Sequence, residues 1–269
     1  MMWDEELAVA QGAARAAGAI VREVYERPFE VRQKDAGGDN PVTEADTRAD
    51  ACIHEIIGRA FPDDGWLSEE TKDSPARLSR RRCWIVDPLD GTKEFTQHIP
   101  ELAVCIALVD DGAVVLGVEF NPITDELFAG GRGHALTLNG APARTSDVDV
   151  VAEARILASR SEDKRGEWDP FKSLMKVELT GSVAYKLALI AAGRGDGTFS
   201  LTPKHEWDIC AGAALIEAGG GRITDCHGVP LRFNQQAKPL LPGIIATNGR
   251  LFDKIQAVIQ ATAPPAPRA

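Results

Sequence analysis

The chain has 269 residues, 44% of them hydrophobic and 26% charged, with a formal net charge of −10. That length suits one large domain or two packed subdomains around an ample core, and the acidic balance argues against a nucleic-acid polymer as partner, which needs a basic footprint. No apolar run approaches the ~18 residues that span a membrane. The acidic start Met1-Met2-Trp3-Asp4-Glu5-Glu6 lacks the basic and apolar regions of a signal peptide, and the five cysteines include no CxxC pair, so a reducing cytoplasm is expected.

In chain order, Leu7, Ala10, Ala14, Ala17, Val21 and Val24 recur at steps of three and four, which predicts an amphipathic helix ending near Tyr25. The polar, glycine-rich stretch 33–41 reads as a mobile loop. Thr43 caps a second helix carried by Ala49, Cys52, Ile53, Ile56 and Ile57, which 61–65 ends. Strand signals follow at 83–86, 102–109, 114–120, 127–129 and 135–138, with Asp110-Asp111-Gly112 as a hairpin turn. The polar, acidic run 145–153 is the candidate boundary between an α+β subdomain (1–146) and a C-terminal α/β subdomain (147–262). Beyond it, strands are expected at 156–158, 177–179, 197–201 and 222–224, and helices at 170–175, 183–192, 207–218 and 251–259. The proline-rich tail 263–269 is expected to be disordered. An antiparallel-rich first half and an alternating second half suggest a layered α-β fold of two packed subdomains.

The densest chemistry lies in 84–95, Trp-Ile-Val-Asp-Pro-Leu-Asp-Gly-Thr-Lys-Glu-Phe. A short apolar strand runs into two carboxylates, and Pro88 bends the chain so that Asp87 and Asp90 can converge. Close carboxylates repel unless a cation joins them, and hard oxygen donors select Mg²⁺, Mn²⁺ or Ca²⁺. Gly91 permits close approach of a ligand to the backbone, and N–H groups of Gly91 and Thr92 at a helix start would cradle phosphate. Three further segments carry acids: Leu67-Ser68-Glu69-Glu70, Asn40 to Asp46, and Lys204-His205-Glu206-Trp207-Asp208. Alone, each is also what a turn, a solvated acidic pair or a helix cap would show.

Together, and in this order, the four segments resemble the inositol monophosphatase superfamily of metal-dependent, lithium-sensitive phosphatases, over 34–225. The resemblance implies a layered αβαβα sandwich. It implies that Glu70, Asp87, Asp90 and Asp208, with the carbonyl of Leu89, ligate two or three Mg²⁺ ions, Mn²⁺ being a possible substitute. It also implies that Glu70 and the Thr92–Asp46 pair orient an attacking water, and that Gly91, Thr92, Ser182 and Asp208 border the substrate. The partner implied is a small phosphorylated metabolite, and the protomer could act as a monomer or a homodimer.

Within the superfamily, Asp90 to Phe95 and the Pro203…Glu206-Trp207-Asp208 pattern are similar to the 3′(2′),5′-bisphosphate nucleotidases. The inositol enzymes use an acid seven positions before the aspartate matching Asp208; here that position is Leu201, which cannot accept hydrogen bonds from sugar hydroxyls. The basic residue that nucleotidases commonly carry shortly before the proline is missing from 199–202, leaving Lys204 or Lys186 as candidates for a second phosphate. The resemblance thus implies hydrolysis of 3′-phosphoadenosine 5′-phosphate. An inositol, sugar or histidinol phosphate phosphatase is the alternative, and a non-catalytic regulator on the same fold is disfavoured by the intact acids.

Overall fold

The computed structural model describes residues 2–34, 37 and 40–262; the tail 263–269 and most of 35–39 lie outside the described residues. Helix α1 (Asp4–Tyr25) leads to the short strands β1 (Arg32–Gln33) and β2 (Pro41–Val42), then α2 (Glu44–Ala60), β3 (Gly65–Ser68), β4 (Arg82–Asp90) and the single-turn α3 (Thr92–Thr96). A meander follows: β5 (Ala103–Asp110), β6 (Ala113–Asn121), β7 (Glu126–Gly131), β8 (His134–Leu138) and β9 (Ala141–Pro142). The rest runs β10 (Arg155–Ala158), α4 (Arg160–Lys164), β11 (Lys176–Leu179), α5 (Val183–Ala191), β12 (Gly197–Ser200), β13 (Lys204–His205), α6 (Glu206–Ala218), β14 (Arg222–Asp225), β15 (Leu240–Leu241), β16 (Ile244–Thr247) and α7 (Phe252–Thr262).

Strands β3 to β9 form a seven-stranded sheet in sequence order, β3 parallel to β4 and the rest antiparallel. A second sheet has the order β11-β10-β12-β16-β14. Period-2 alternation divides the first sheet's side chains between two cores. Trp84, Val86, Val104, Ile106 and Leu108 pack against the alanine-rich face of α1 and the Ala49–Ile53–Ile57 stripe of α2. Ile85, Ala103, Cys105, Ala107 and Val109 pack the other way, against α5 and α6. Both helices are apolar nearly all round because they lie between two sheets: Leu157, Ile223, Ile244 and Ala246 cover them from the second sheet. The far face of that sheet, through Ile156, Ala158, Phe199 and Ile245, receives Phe252, Ile255 and Ile259 of α7. Five layers result, αβαβα.

Three local expectations change. The flanks of the 33–41 loop pair as β1 and β2, with Lys34 N donating to Asn40 O at 2.9 Å. Residues 170–175 form turns, not a helix, because the Trp168 and Phe171 rings insert into the third core; the helix of this region is α4, capped by Ser159. The buried run β16, an inner strand of the second sheet between β12 and β14, is not anticipated because it shows no alternation. Segment 143–154, between β9 and β10, lies outside regular structure, but the halves on either side share one core through α5 and α6.

Candidate active site

Strand β4 delivers two carboxylates to one place by breaking its own register. Residues three apart on a regular strand face opposite sides. Pairing with β5 is regular as far as Asp87–Cys105, shifts, and resumes at Asp90–Ala103. This bulge at Pro88-Leu89 turns Asp87 and Asp90 to the same side. Leu89 N donates to Asp87 Oδ1 at 2.9 Å and fixes the first carboxylate. Ser182 Oγ and Ala184 N, at the start of α5, donate to Asp90 Oδ2 at 2.5 and 2.7 Å. Asp208, in the first turn of α6, accepts from His205 N at 3.0 Å. The carboxylate oxygens of Asp87, Asp90 and Asp208 lie within 4.8 Å of one another.

Burial pushes the carboxyls of Asp87 and Asp208 well above the usual range; Glu69 and Asp90 raise both further, and Asp208 adds to the shift of Asp87. Asp90 is also raised by burial, against the donors from Ser182 and Ala184. The donors that hold these three carboxylates are neutral N–H and O–H groups. A set of hard oxygen donors that repel one another, with no basic side chain among the described residues in an ion pair with Asp87, Asp90 or Asp208, is chemically suited to a hard dication such as Mg²⁺.

The fourth acid is a correction. Glu70 was expected in the cluster, but Glu69 lines the cleft with the three aspartates and Glu70 does not. The reason is strand alternation. Leu67 faces the inner core, while Ser68 points the other way, to Asp50 at 2.5 Å. Glu69 N continues the ladder to Val86 O, so its side chain returns to the face of Asp87. Lys34 Nζ donates to Glu69 Oε1 at 2.7 Å and also to Glu70. Burial raises Glu70 to about 7, with Lys34 opposing the shift.

Asp46 and Thr92 meet as expected. Asp46 closes a capping box at the start of α2, its Oδ2 accepting from Thr43 N and Thr43 Oγ1, both at 2.8 Å. Its other oxygen accepts from Thr92 Oγ1 at 2.9 Å, and Thr92 Oγ1 also lies 3.0 Å from the Leu89 carbonyl. Burial raises the pKa of Asp46. Gly91, at φ 94°, starts α3; a Cβ there would come within 2.7 Å of Glu101 O, so only glycine fits the turn.

The cleft has a volume of about 200 Å³ and runs from these acids past Gly181 and Ser182 to Ser159, Ser161 and Lys186. Sequence reasoning singled out neither serine of α4's start nor Glu94, which also lines the cleft. Glu94 packs over Gly181, where a Cβ would meet its side chain at 2.3 Å. No helix among the described residues is long and apolar enough to cross a membrane.

The sequence profile described as "Inositol monophosphatase family" matches residues 2–262. The chain is 32% identical over 231 residues to the "Nus factor SuhB" of Escherichia coli K12, covering 82% of this chain and 85% of that protein. Its fold is similar to the structure of inositol monophosphatase from Anabaena, with a TM-score of 0.81, 30% identity and 99% of both chains covered. It is similar also to CysQ from Bacteroides thetaiotaomicron, described as a bacterial member of the inositol monophosphatase family, with a TM-score of 0.76, 31% identity, and 91% of this chain and 98% of that one covered. With its bulged β4, its converging carboxylates and a profile match across nearly the whole sequence, this chain belongs to the inositol monophosphatase family of Mg²⁺-dependent phosphomonoesterases.

Proposed function

We propose that this phosphatase is a 3′(2′),5′-bisphosphate nucleotidase, hydrolysing 3′-phosphoadenosine 5′-phosphate to AMP and phosphate. Asp87, Asp90 and Asp208, with Glu69 and the Leu89 carbonyl beside them, are the groups that would hold Mg²⁺, as two or three ions, with Mn²⁺ able to replace it. Bound there, the metal supplies Lewis-acid neutralisation of phosphate charge and acidifies water. The protein's own groups do the positioning. With its proton directed to Asp46, Thr92 Oγ1 turns a lone pair to the cleft and can accept a hydrogen bond from the attacking water. The raised pKa of Asp46 equips it to receive a proton through that hydroxyl. The backbone N–H groups of Gly91 and Thr92 are the donors to the equatorial phosphate oxygens, and Ser182 steadies Asp90 at the substrate's edge.

The observation that carries the nucleotidase reading is Leu201. It is 40% exposed, and no carboxylate stands at that position to accept sugar hydroxyls. The nearby acid Glu162 is already engaged by Lys204, Ser200 and Trp168. Similarity to the Anabaena inositol monophosphatase favours a second reading, an inositol or sugar monophosphatase. A phosphate-release panel with and without Mg²⁺ decides between them. The proposal expects the adenosine bisphosphate to be hydrolysed fastest, and faster turnover of inositol 1-phosphate overturns it.

A further inference from the structure

Ser182 reaches Asp90 from a backbone conformation that a residue with a Cβ disfavours. Its φ is 56° and its ψ 123°, outside the main regions open to serine. A residue in such a conformation persists only where its surroundings hold it there. The conformation aims Oγ at Asp90 Oδ2, 2.5 Å away, and lets the same oxygen accept from Tyr185 N at 3.0 Å to cap α5. Two tethers precede it. Thr180 N donates to Ala158 O at 2.9 Å, which ties the segment to β10. Gly181 N, which is buried, donates to Glu101 Oε2 at 2.6 Å, which ties it to the chain just before β5. In the second tether a carboxylate stands where a backbone carbonyl would be usual.

Glu101 is itself held for that contact. Arg160, in the first turn of α4, donates through Nη2 to Oε1 at 2.9 Å and through Nη1 to Oε2. Burial raises the pKa of this carboxyl, but the donors from Arg160 and Gly181 outweigh burial and leave it below the usual range, so it carries its charge near neutrality. The backbone is equally close: a Cβ on Gly91 would stand 2.7 Å from Glu101 O and 3.2 Å from Ser182 Cβ. Gly91 and Glu101 from the first half of the chain thus meet Arg160, Gly181 and Ser182 from the second, beside Asp90.

We propose that Glu101 is a positioning residue of the phosphatase site: anchored by Arg160, its carboxylate holds Gly181 N, keeps Ser182 in its strained conformation and so fixes Asp90 for Mg²⁺. This role rests on Asp87, Asp90 and Asp208 being metal ligands, and not on which ester is hydrolysed. Glu101 does not line the cleft, so it acts through Ser182 and touches neither substrate nor metal. Without its carboxylate the buried Gly181 N loses its acceptor, and Ser182 relaxes toward negative φ, which turns Oγ away from Asp90. Asp90 keeps the donor from Ala184 N at 2.7 Å, so the metal is held less tightly and not lost.

The test is calorimetric titration of Mg²⁺ into chelator-stripped wild type, Glu101→Ala, Glu101→Gln, Ser182→Ala and the variant combining Glu101→Ala with Ser182→Ala, each shown by its melting curve to be folded at the assay temperature. Ser182→Ala should weaken Mg²⁺ binding about tenfold, as loss of a group that orients a metal ligand does. Glu101→Ala, acting at one remove, should weaken it by about fivefold. Glu101→Gln keeps an oxygen for Gly181 N but loses the charge that Arg160 holds; it should weaken binding about threefold, and it carries the comparison, alone and combined with Ser182→Ala, if Glu101→Ala does not fold. Because Glu101 acts through Ser182, the combined variant should bind Mg²⁺ within about twofold of Ser182→Ala alone. A folded Glu101 variant whose Mg²⁺ affinity stays within about twofold of wild type, whatever its Tm, overturns the role, and so do losses that multiply in the combined variant. In both cases the metal site stands. If wild type takes up no Mg²⁺, the metal site is wrong and the role of Glu101 falls with it.

Discussion

Groups of opposite charge that line the cleft are held by the same device. Asp87, Asp90 and Asp208, at the end of β4 and the start of α6, are fixed by Leu89 N, Ala184 N and His205 N, and among the described residues by no basic side chain. Lys186, on α5, is fixed by two carbonyls, and among the described residues by no acid. Elsewhere, charges at the cleft's margin are paired internally, as in Lys204–Glu162 and Arg160–Glu101. Orientation by dipoles keeps a side chain in place without cancelling its charge. Groups held in this way remain available to a ligand, whereas groups in ion pairs shape the wall.

After the aspartates themselves, the largest effect that could break this contrast comes from the adjacent glutamates. Glu69→Gln should lower turnover about 10²-fold, as loss of one group acting on transition-state charge does. Glu70→Gln should stay within about threefold, because Lys34 holds both glutamates but only Glu69 lines the cleft. Phosphate-release kinetics of the two variants check this; a larger loss in Glu70→Gln would return the role to the residue first expected from the sequence.

That exchange shows what was legible. The motif of β4, the helix start at Thr43 and the Trp207-Asp208 turn could be read from local chemistry, and so could most strands of the meander, because they alternate or end in Asp-Gly and Asn-Gly. Glu69 against Glu70 depended on how far β3 continues past Ser68, which is a matter of pairing with Val86 and not of residue type. Likewise β16 lies buried between β12 and β14, and its run Ile-Ile-Ala-Thr carries no period by which to recognise it. The partners of Lys186 are carbonyls, which leave no mark in a sequence.

A smaller effect sharpens the acidic side. Burial raises the carboxyls of Asp87, Asp90 and Asp208 in the folded protein. The metal-free fold therefore binds protons more tightly than the unfolded chain. The stability that these protons contribute is fully present below the ordinary carboxylate range and is lost as pH rises through the raised values. Mg²⁺ takes the place of those protons. Saturating Mg²⁺ should raise Tm by about 5 °C or more at pH 8 and by clearly less at pH 5. Thermal melts at the two pH values test this, and an equal or reversed increment would contradict the origin of the shifts.

The smallest effect concerns a carboxyl that does not line the cleft. Glu119 is fully buried on β6, and neither of its oxygens has a hydrogen-bond partner among the described residues. Burial holds it well above the usual range, with Asp90 adding to the shift. Glu119→Val conserves volume, suits a strand and removes two unsatisfied polar atoms. It should raise Tm by about 2–4 °C without loss of turnover; a destabilised variant would show that the buried carboxyl has a structural role.

The central claim is that the aspartates brought together by the β4 bulge and α6 bind the dication that hydrolysis needs. Calorimetric titration of Mg²⁺ into chelator-stripped wild type and Asp87→Asn, with phosphate release followed on the same samples, tests it most directly. Saturable binding and Mg²⁺-dependent turnover are expected in wild type, and in the folded variant weakened binding with turnover down by about 10³-fold. Wild-type turnover that is indifferent to Mg²⁺, or near-normal binding and activity in Asp87→Asn, would contradict it.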